Sequence, residues 1–147
     1  MYTQHKTLII RLVAIVLTMV LVAPFGVSAA TIQSRASAYL STYAAYVYLP
    51  GDGEVRVYFN AEGTDDMDEL GALCIEIHES TDGVNWDWVE TYNQDTTPGM
   101  LSYNDDYHSG YVSYDGVAGR YYKAYVCIWG GKDGDGDTRY FWTSVKH

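Results

Sequence analysis

From residue 39 onward the chain alternates apolar and polar residues over short stretches, each cut off by Gly, Asp or Asn. A period of two over four to eight residues allows little besides β-structure. In residues 54–60, Val55, Val57 and Phe59 fall on one face and Arg56 and Tyr58 on the other. Residues 39–49 read as a preceding strand or bent pair of strands, turned at 50–53 by Pro-Gly-Asp-Gly. Residues 63–69, with Asp65, Asp66, Asp68 and Glu69, read as an acidic loop. Beyond it Leu73, Ile75 and Ile77 point one way and Cys74, Glu76 and His78 the other. Ser80-Thr81-Asp82-Gly83 turns that strand back into residues 84–92. A polar, glycine-containing loop over 93–110, with a short strand near 100–103, leads to a strand at 111–114. The next strand, 120–129, places Tyr122, Ala124, Val126 and Ile128 inward; 130–137 reads as a loop, and 138–145 closes the domain. About seven strands point to an all-β, two-sheet sandwich, with a small barrel as the competing closure.

The first thirty residues have another character. His5, Lys6 and Arg11 precede the apolar run 12–22, and Pro24-Phe25-Gly26 leads into Val27-Ser28-Ala29-Ala30. This is the layout of a secretory signal peptide, with small residues suited to cleavage after Ala29 or after Ala30. The run is too short to span a bilayer, which takes about 20 apolar residues. The expectation is a leader over 1–29, one domain over 30–147, and a released product with no stable membrane insertion after cleavage.

The chain carries nine basic and nineteen acidic residues. Lys6 and Arg11 belong to the leader, and no acidic residue does, so the acidity concentrates in the domain. Such a field repels nucleic acid and anionic membrane, leaving extracellular proteins or glycans as partners. Fourteen of the fifteen tyrosines and all four tryptophans follow residue 30, which excludes a disordered chain and suits sheet surfaces and core.

Two segments carry a resemblance. Ile75-Glu76-Ile77-His78-Glu79-Ser80-Thr81-Asp82-Gly83-Val84-Asn85-Trp86, followed by Val89, resembles the third strand, turn and return strand of a fibronectin type III domain. Gly119-Arg120-Tyr121-Tyr122-Lys123-Ala124-Tyr125-Val126 resembles that fold's sixth strand with its tyrosine. The resemblance implies a single immunoglobulin/fibronectin III-like β-sandwich, although the proline-rich opening and the second-strand tryptophan of that family are missing. The wider layout, with Met67-Asp68-Glu69-Leu70-Gly71-Ala72, Gly99-Met100, His108-Ser109-Gly110 and the 114–119 turn, resembles a family of short uncharacterised secreted proteins from Gram-positive bacteria. That likeness carries no mechanism.

Two cysteines in an exported chain invite a disulfide. In a sandwich Cys74 and Cys127 occupy neighbouring antiparallel strands on the same face, so the expectation is a cross-strand Cys74–Cys127 disulfide, with two unpaired thiols as the alternative. Asp133, Asp135 and Asp137, spaced by glycine, are the candidate ligands for a weak calcium site; the helix-loop-helix calcium pattern fails, since its Gly and Glu positions fall on Thr138 and Ser144. No other cofactor is implied. His78 and His108 sit in no zinc-protease or serine-hydrolase pattern, and the expectation is a non-enzyme.

Aromatic residues carry the binding reading. Trp86, Trp88, Tyr92, Trp129 and Trp142 offer large stacking area at little rotamer cost. Trp86 and Trp88 share a strand face, with one of them expected in the core, and Tyr121, Tyr125 and Trp129 would line an outer strip. The expected function is a secreted, non-catalytic binding domain for protein or cell-surface partners. The alternative is a carbohydrate-binding module that uses exposed aromatics, distinguished by a flat aromatic row with polar side chains beside it. An unpaired sheet edge would add self-association by strand addition, and a charged or bulged edge would oppose it.

Overall fold

The computed structural model describes residues 37–147, so the expected leader and both cleavage positions lie outside the described residues. Eight strands follow in chain order: β1 Leu40–Gly51, β2 Glu54–Met67, β3 Glu69–Ser80, β4 Asp87–Asn93, β5 Leu101–Ser102, β6 Asp105–Asp115, β7 Tyr121–Lys132 and β8 Asp135–Trp142. They form two antiparallel sheets. One has the order β1-β2-β6; the other has the order β4-β3-β7-β8, with β5 also pairing to β3.

The alternation dictates the packing. Val47, Val55, Val57, Phe59 and Val112 from the three-stranded sheet meet Ile75, Ile77, Tyr122, Ala124, Val126, Ile128 and Phe141 from the other, all buried in one cluster. The inward faces expected for β2 and β7 are those observed. No tryptophan belongs to this core, which corrects the expectation for Trp86 or Trp88.

Four boundaries differ from the sequence reading. The acidic stretch 63–69 is not a loop: β2 runs through it to Met67, whose side chain is buried, and β3 begins at Glu69. The acidic groups fasten this corner to the opposite sheet, where Lys132 Nζ donates to Asp65 Oδ2 at 2.6 Å and the Asp133 amide donates to Asp68 Oδ2 at 2.7 Å. Residues 130–137 are likewise no loop. β7 and β8 pair through Lys132↔Asp135 across a two-residue turn, Asp133 (φ 56°) and Gly134 (φ 80°), whose positive φ values match the twist of a tight hairpin. β6 begins at Asp105, well before residue 111, because its inward positions carry His108 and Gly110 in place of aliphatics. β4 begins at Asp87, because 81–86 is held as a turn by Asp82, which accepts the amides of Val84 and Asn85 at 2.8 Å each.

Leu73 also departs from its expected inward place. The pairing of β3 with β7 slips between Ala72↔Ile128 and Cys74↔Cys127, so Leu73 occupies a bulge. Leu70 and Ala72 face inward before the slip, and Ile75 and Ile77 after it.

At the other end of β7 the Tyr122 hydroxyl closes an arch over the 115–120 turn. It accepts the Val117 amide at 2.7 Å and donates to Glu79 Oε2 at 3.1 Å, while Arg120 pairs with Glu79 Oε1. Gly116 makes room for the phenol: a Cβ there would lie 2.5 Å from the hydroxyl and 2.9 Å from Cζ.

Candidate functional site

The outer face of the β1-β2-β6 sheet is ordered in rows across the strands. Register places Tyr46, Tyr58 and Tyr111 side by side, then Asn60 between Ala44 and Ser109 as the next outward row. Glu62 and Tyr107 stand opposite each other in the row beyond. The first row is aromatic: Tyr46 and Tyr58 have ring centroids 5.2 Å apart at 11°, and Tyr58 and Tyr111 are 5.2 Å apart at 34°. Tyr46 and Tyr58, nearly parallel at that separation, are offset rather than face to face; the outer rings Tyr46 and Tyr111 are exposed, and Tyr58 between them is half-buried. Tyr48 adds an edge contact to Tyr58, and the Arg56 guanidinium lies 5.6 Å from the centre of Tyr111.

Between the aromatic row and Tyr107 the short side chains leave a trough. Its volume is about 350 Å³, and Tyr46, Tyr58, Asn60, Tyr107, Ser109 and Tyr111 contribute to its lining. Among the described residues, the Asn60 amide and the Ser109 hydroxyl make no intramolecular hydrogen bond, whereas the charges around the trough are engaged. Arg56 Nε donates to Glu54 Oε1 at 2.7 Å, and the Thr42 hydroxyl donates to Glu62 Oε2 at 2.9 Å. The Glu54 carboxyl is held below its ordinary range by Arg56 first and the Ser113 hydroxyl second. The trough therefore offers apolar ring surface and neutral hydrogen-bonding groups.

The residues expected to bind lie on the opposite sheet, and only some come together. The Lys123 ammonium sits 4.3 Å from the Trp86 ring and 4.4 Å from the Trp142 ring, filling the space between the two indoles. Tyr125 packs on Trp142 at 5.1 Å and lies parallel to Tyr140 at 6.1 Å. His78 meets Trp142 edge-on at 4.9 Å, with Glu76 Oε2 3.7 Å from its Nε2. Trp88 is 61% exposed, and its indole N–H donates to Thr91 Oγ1 at 2.9 Å. Tyr121 is apart from this group, stacked on His147 at 4.1 Å.

Trp129 is not the exposed platform it was expected to be. Its indole lies over the backbone at Gly131 and Gly136, where added Cβ atoms would collide with the ring. It shields a stretch of hairpin that has no side chains of its own.

Cys74 and Cys127 are directly opposite in the β3–β7 register, as expected, and approach to 4.2 Å. Both thiols are free, so the disulfide is not formed in this structure. The Cys74 thiol is the more acidic of the two because Cys127 hydrogen-bonds to it; that bond and burial push the Cys127 thiol up.

The three aspartates of the proposed calcium site are divided. Asp133 stands in the turn, Asp135 Oδ1 accepts the Gly136 amide at 2.8 Å, and Asp137 pairs with Arg139. Among the described residues no group of three or more His, Cys, Asp or Glu could hold a metal ion. No helix among them is long and apolar enough to cross a membrane.

Sequence reasoning assigned Tyr58 to an outer face but missed Tyr46, Tyr107 and Tyr111 as its companions, together with Asn60 and Ser109. Pairing β2 with β6 was the signal that would have found Tyr107, Ser109 and Tyr111; Tyr46 is hidden by a bulge in β1. Comparison of the chain with protein-family models, with curated proteins and with solved structures returns no match.

Proposed function

We propose that this chain is a secreted, non-catalytic carbohydrate-binding module that holds a glycan in the trough of its three-stranded sheet. The observation that carries the reading is the pairing of the Tyr46–Tyr58–Tyr111 row with the unengaged Asn60 and Ser109 groups. A sugar ring has an apolar face of C–H groups and a rim of hydroxyls, and this surface presents the complement of each. The leader-like first thirty residues support an extracellular place of action, where such ligands occur.

The immunoglobulin/fibronectin III-like assignment belongs to the same proposal. It is supported by the strand order of the two sheets and by the Tyr122 hydroxyl reaching back to Val117 at the entry to β7. The kinship with secreted Gram-positive proteins is proposed on the sequence likeness alone.

Affinity electrophoresis in gels containing soluble neutral polysaccharides, with sedimentation on insoluble glycan beside it, tests the function. Retardation that disappears in Tyr111→Ala is the expected result. No retention on any glycan refutes it.

A protein partner is the second reading. It rests on the exposed strip of Trp88, Tyr140 and Trp142 on the opposite sheet, where large aromatics outside the core are the usual anchors of an interface.

A further inference from the structure

The trough has a shape that says which part of a glycan it accepts, and the inference rests on the carbohydrate reading above. All its lining residues come from β1, β2 and β6. β1 and β6 are the outer strands of their sheet, so among the described residues no strand stands beyond either end. The end positions of the row that holds Asn60 are Ala44 and Ser109, both short; Ser109 lines the trough and Ala44 is buried beside it. A pocket for a chain terminus needs an end wall, and among the described residues no neighbouring strand supplies one. It crosses three strands, about 10 Å at the usual inter-strand spacing, which exceeds one sugar ring.

Its direction and charge narrow the ligand further. The aromatic row repeats at 5.2 Å and again at 5.2 Å. An extended, equatorially linked pyranose chain advances by about one ring length per unit, so successive sugars keep step with successive tyrosines. A chain with axial–equatorial linkages, as in malto-oligosaccharides, coils and would leave the row after one contact. Arg56 is paired with Glu54, and Glu62, held by the Thr42 hydroxyl, keeps its negative charge at the edge of the site. The protein as a whole carries a net charge of −10, which repels a polyanion.

We infer that the trough binds an internal stretch of an extended, uncharged, equatorially linked polysaccharide, laid across the strands with its sugars along the Tyr46–Tyr58–Tyr111 row. Asn60 and Ser109 meet the hydroxyl rim, and the ligand continues past both edges of the sheet. Such a module grips a chain anywhere along its length and needs neither a reducing nor a non-reducing end.

Isothermal titration calorimetry of the full chain separates the possibilities. The probes are cello-oligosaccharides of increasing length, the same oligomers blocked at both ends, malto-oligosaccharides and polygalacturonate. Affinity is expected to climb with length until about three sugars fill the trough. End-blocking should change Kd by less than about twofold, and the malto series should bind at least roughly tenfold more weakly. Tyr111→Ala and Asn60→Ala should each weaken the cello series by about tenfold, the scale of one lost stacking or hydrogen-bonding contact. Two variants at exposed or half-exposed positions guard against a folding defect in either, checked by unchanged circular dichroism.

Loss of binding on end-blocking, equal affinity for a monosaccharide, or preference for the malto series or polygalacturonate overturns this inference while leaving a Tyr111-dependent glycan site standing. Absence of Tyr111-dependent binding to every saccharide overturns both.

Discussion

Removing the Tyr122 hydroxyl tests whether the arch at the entry to β7 holds the two sheets in place. Tyr122→Phe keeps the buried ring and deletes one oxygen. That oxygen accepts the Val117 amide at 2.7 Å and donates to Glu79 Oε2 at 3.1 Å. A bond to a neutral amide contributes about 0.5–1.5 kcal/mol and one to a carboxylate about 1.5–3 kcal/mol. Water reaches part of this turn, since Val117 is 49% exposed, and Glu79 keeps Arg120 as a partner. Both facts pull the sum toward its lower half, about 2–3 kcal/mol. For a domain of this size each kcal/mol lowers Tm by about 4 °C, so the expected shift is about 8–12 °C. Urea unfolding followed by tryptophan fluorescence should give the same loss with an unchanged m-value. Tyr114→Phe is the control: Tyr114 also packs on the core, but its hydroxyl has no hydrogen-bond partner among the described residues, and its loss should cost under about 0.5 kcal/mol. Equal, small effects from the two substitutions would refute the idea that the arch is stabilising.

The acid limb of stability should depend on Asp82, whose carboxyl is held below its ordinary value chiefly by the amides of Asn85 and Val84 and then by the side chains of Asn85 and Ser80. A depressed folded-state pKa gives stability that is complete above the unfolded value of about 3.9 and is lost as pH falls below it. Asp82→Asn should therefore flatten the fall in Tm below about pH 4, and an unchanged slope would count against this account. Gly136→Ala forces a methyl group into the Trp129 ring and should cost about 1–3 kcal/mol in urea unfolding, with a change in tryptophan emission. In the reduced protein, iodoacetamide should label Cys74 well before Cys127, because Cys74 is partly exposed and the more acidic thiol, whereas Cys127 is buried; peptide mass mapping reads the order. Asn60→Thr should raise stability by up to about 1 kcal/mol in urea unfolding while weakening glycan binding, and a variant that gains stability and keeps full affinity would detach Asn60 from the site.

The sandwich was legible because β2 and β7 alternate without interruption, and a buried face of Val55, Val57 and Phe59 against Tyr122, Ala124, Val126 and Ile128 admits one register. Where alternation was hidden, so was the strand. Gly130 and Gly131 look like a loop because they lack side chains, yet the backbone continues as β7 under the Trp129 ring. The missed tyrosine row has a similar cause. Counting back from the Gly51↔Glu54 pair at the first turn sets Val47 opposite Tyr58, but a bulge between Tyr48 and Gly51 shifts the pairing by one, and Tyr46 takes that place. A single unpaired residue moved an aromatic side chain into the row, and nothing in the local pattern around Leu49-Pro50 announces it. On the other sheet the parity of Tyr121, Tyr125 and Trp129 was read correctly. What parity does not give is what each ring packs against: His147, Trp142 and the backbone of two glycines in turn.

The two aromatic faces differ in how far the protein itself uses them. On the larger sheet the Lys123 ammonium fills the gap between Trp86 and Trp142, Trp88 bonds Thr91, and Trp129 covers glycines. Those rings stabilise the fold where they stand. The tyrosine row also stabilises its own sheet, since each cross-strand aromatic pair contributes about 0.2–1 kcal/mol. That does not explain the adjacent floor row. Ala44, Asn60 and Ser109 lie across all three strands of the sheet, where β-branched or aromatic residues would pair better. Asn and Ala are disfavoured in strands, and here they occupy the middle and one edge of the same outward row. The neighbouring row, by contrast, is filled by three tyrosines. A surface that gives up pairing energy in one row, and leaves an amide and a hydroxyl unengaged among the described residues, is what the proposed glycan site requires, since a ligand there would supply the missing contacts.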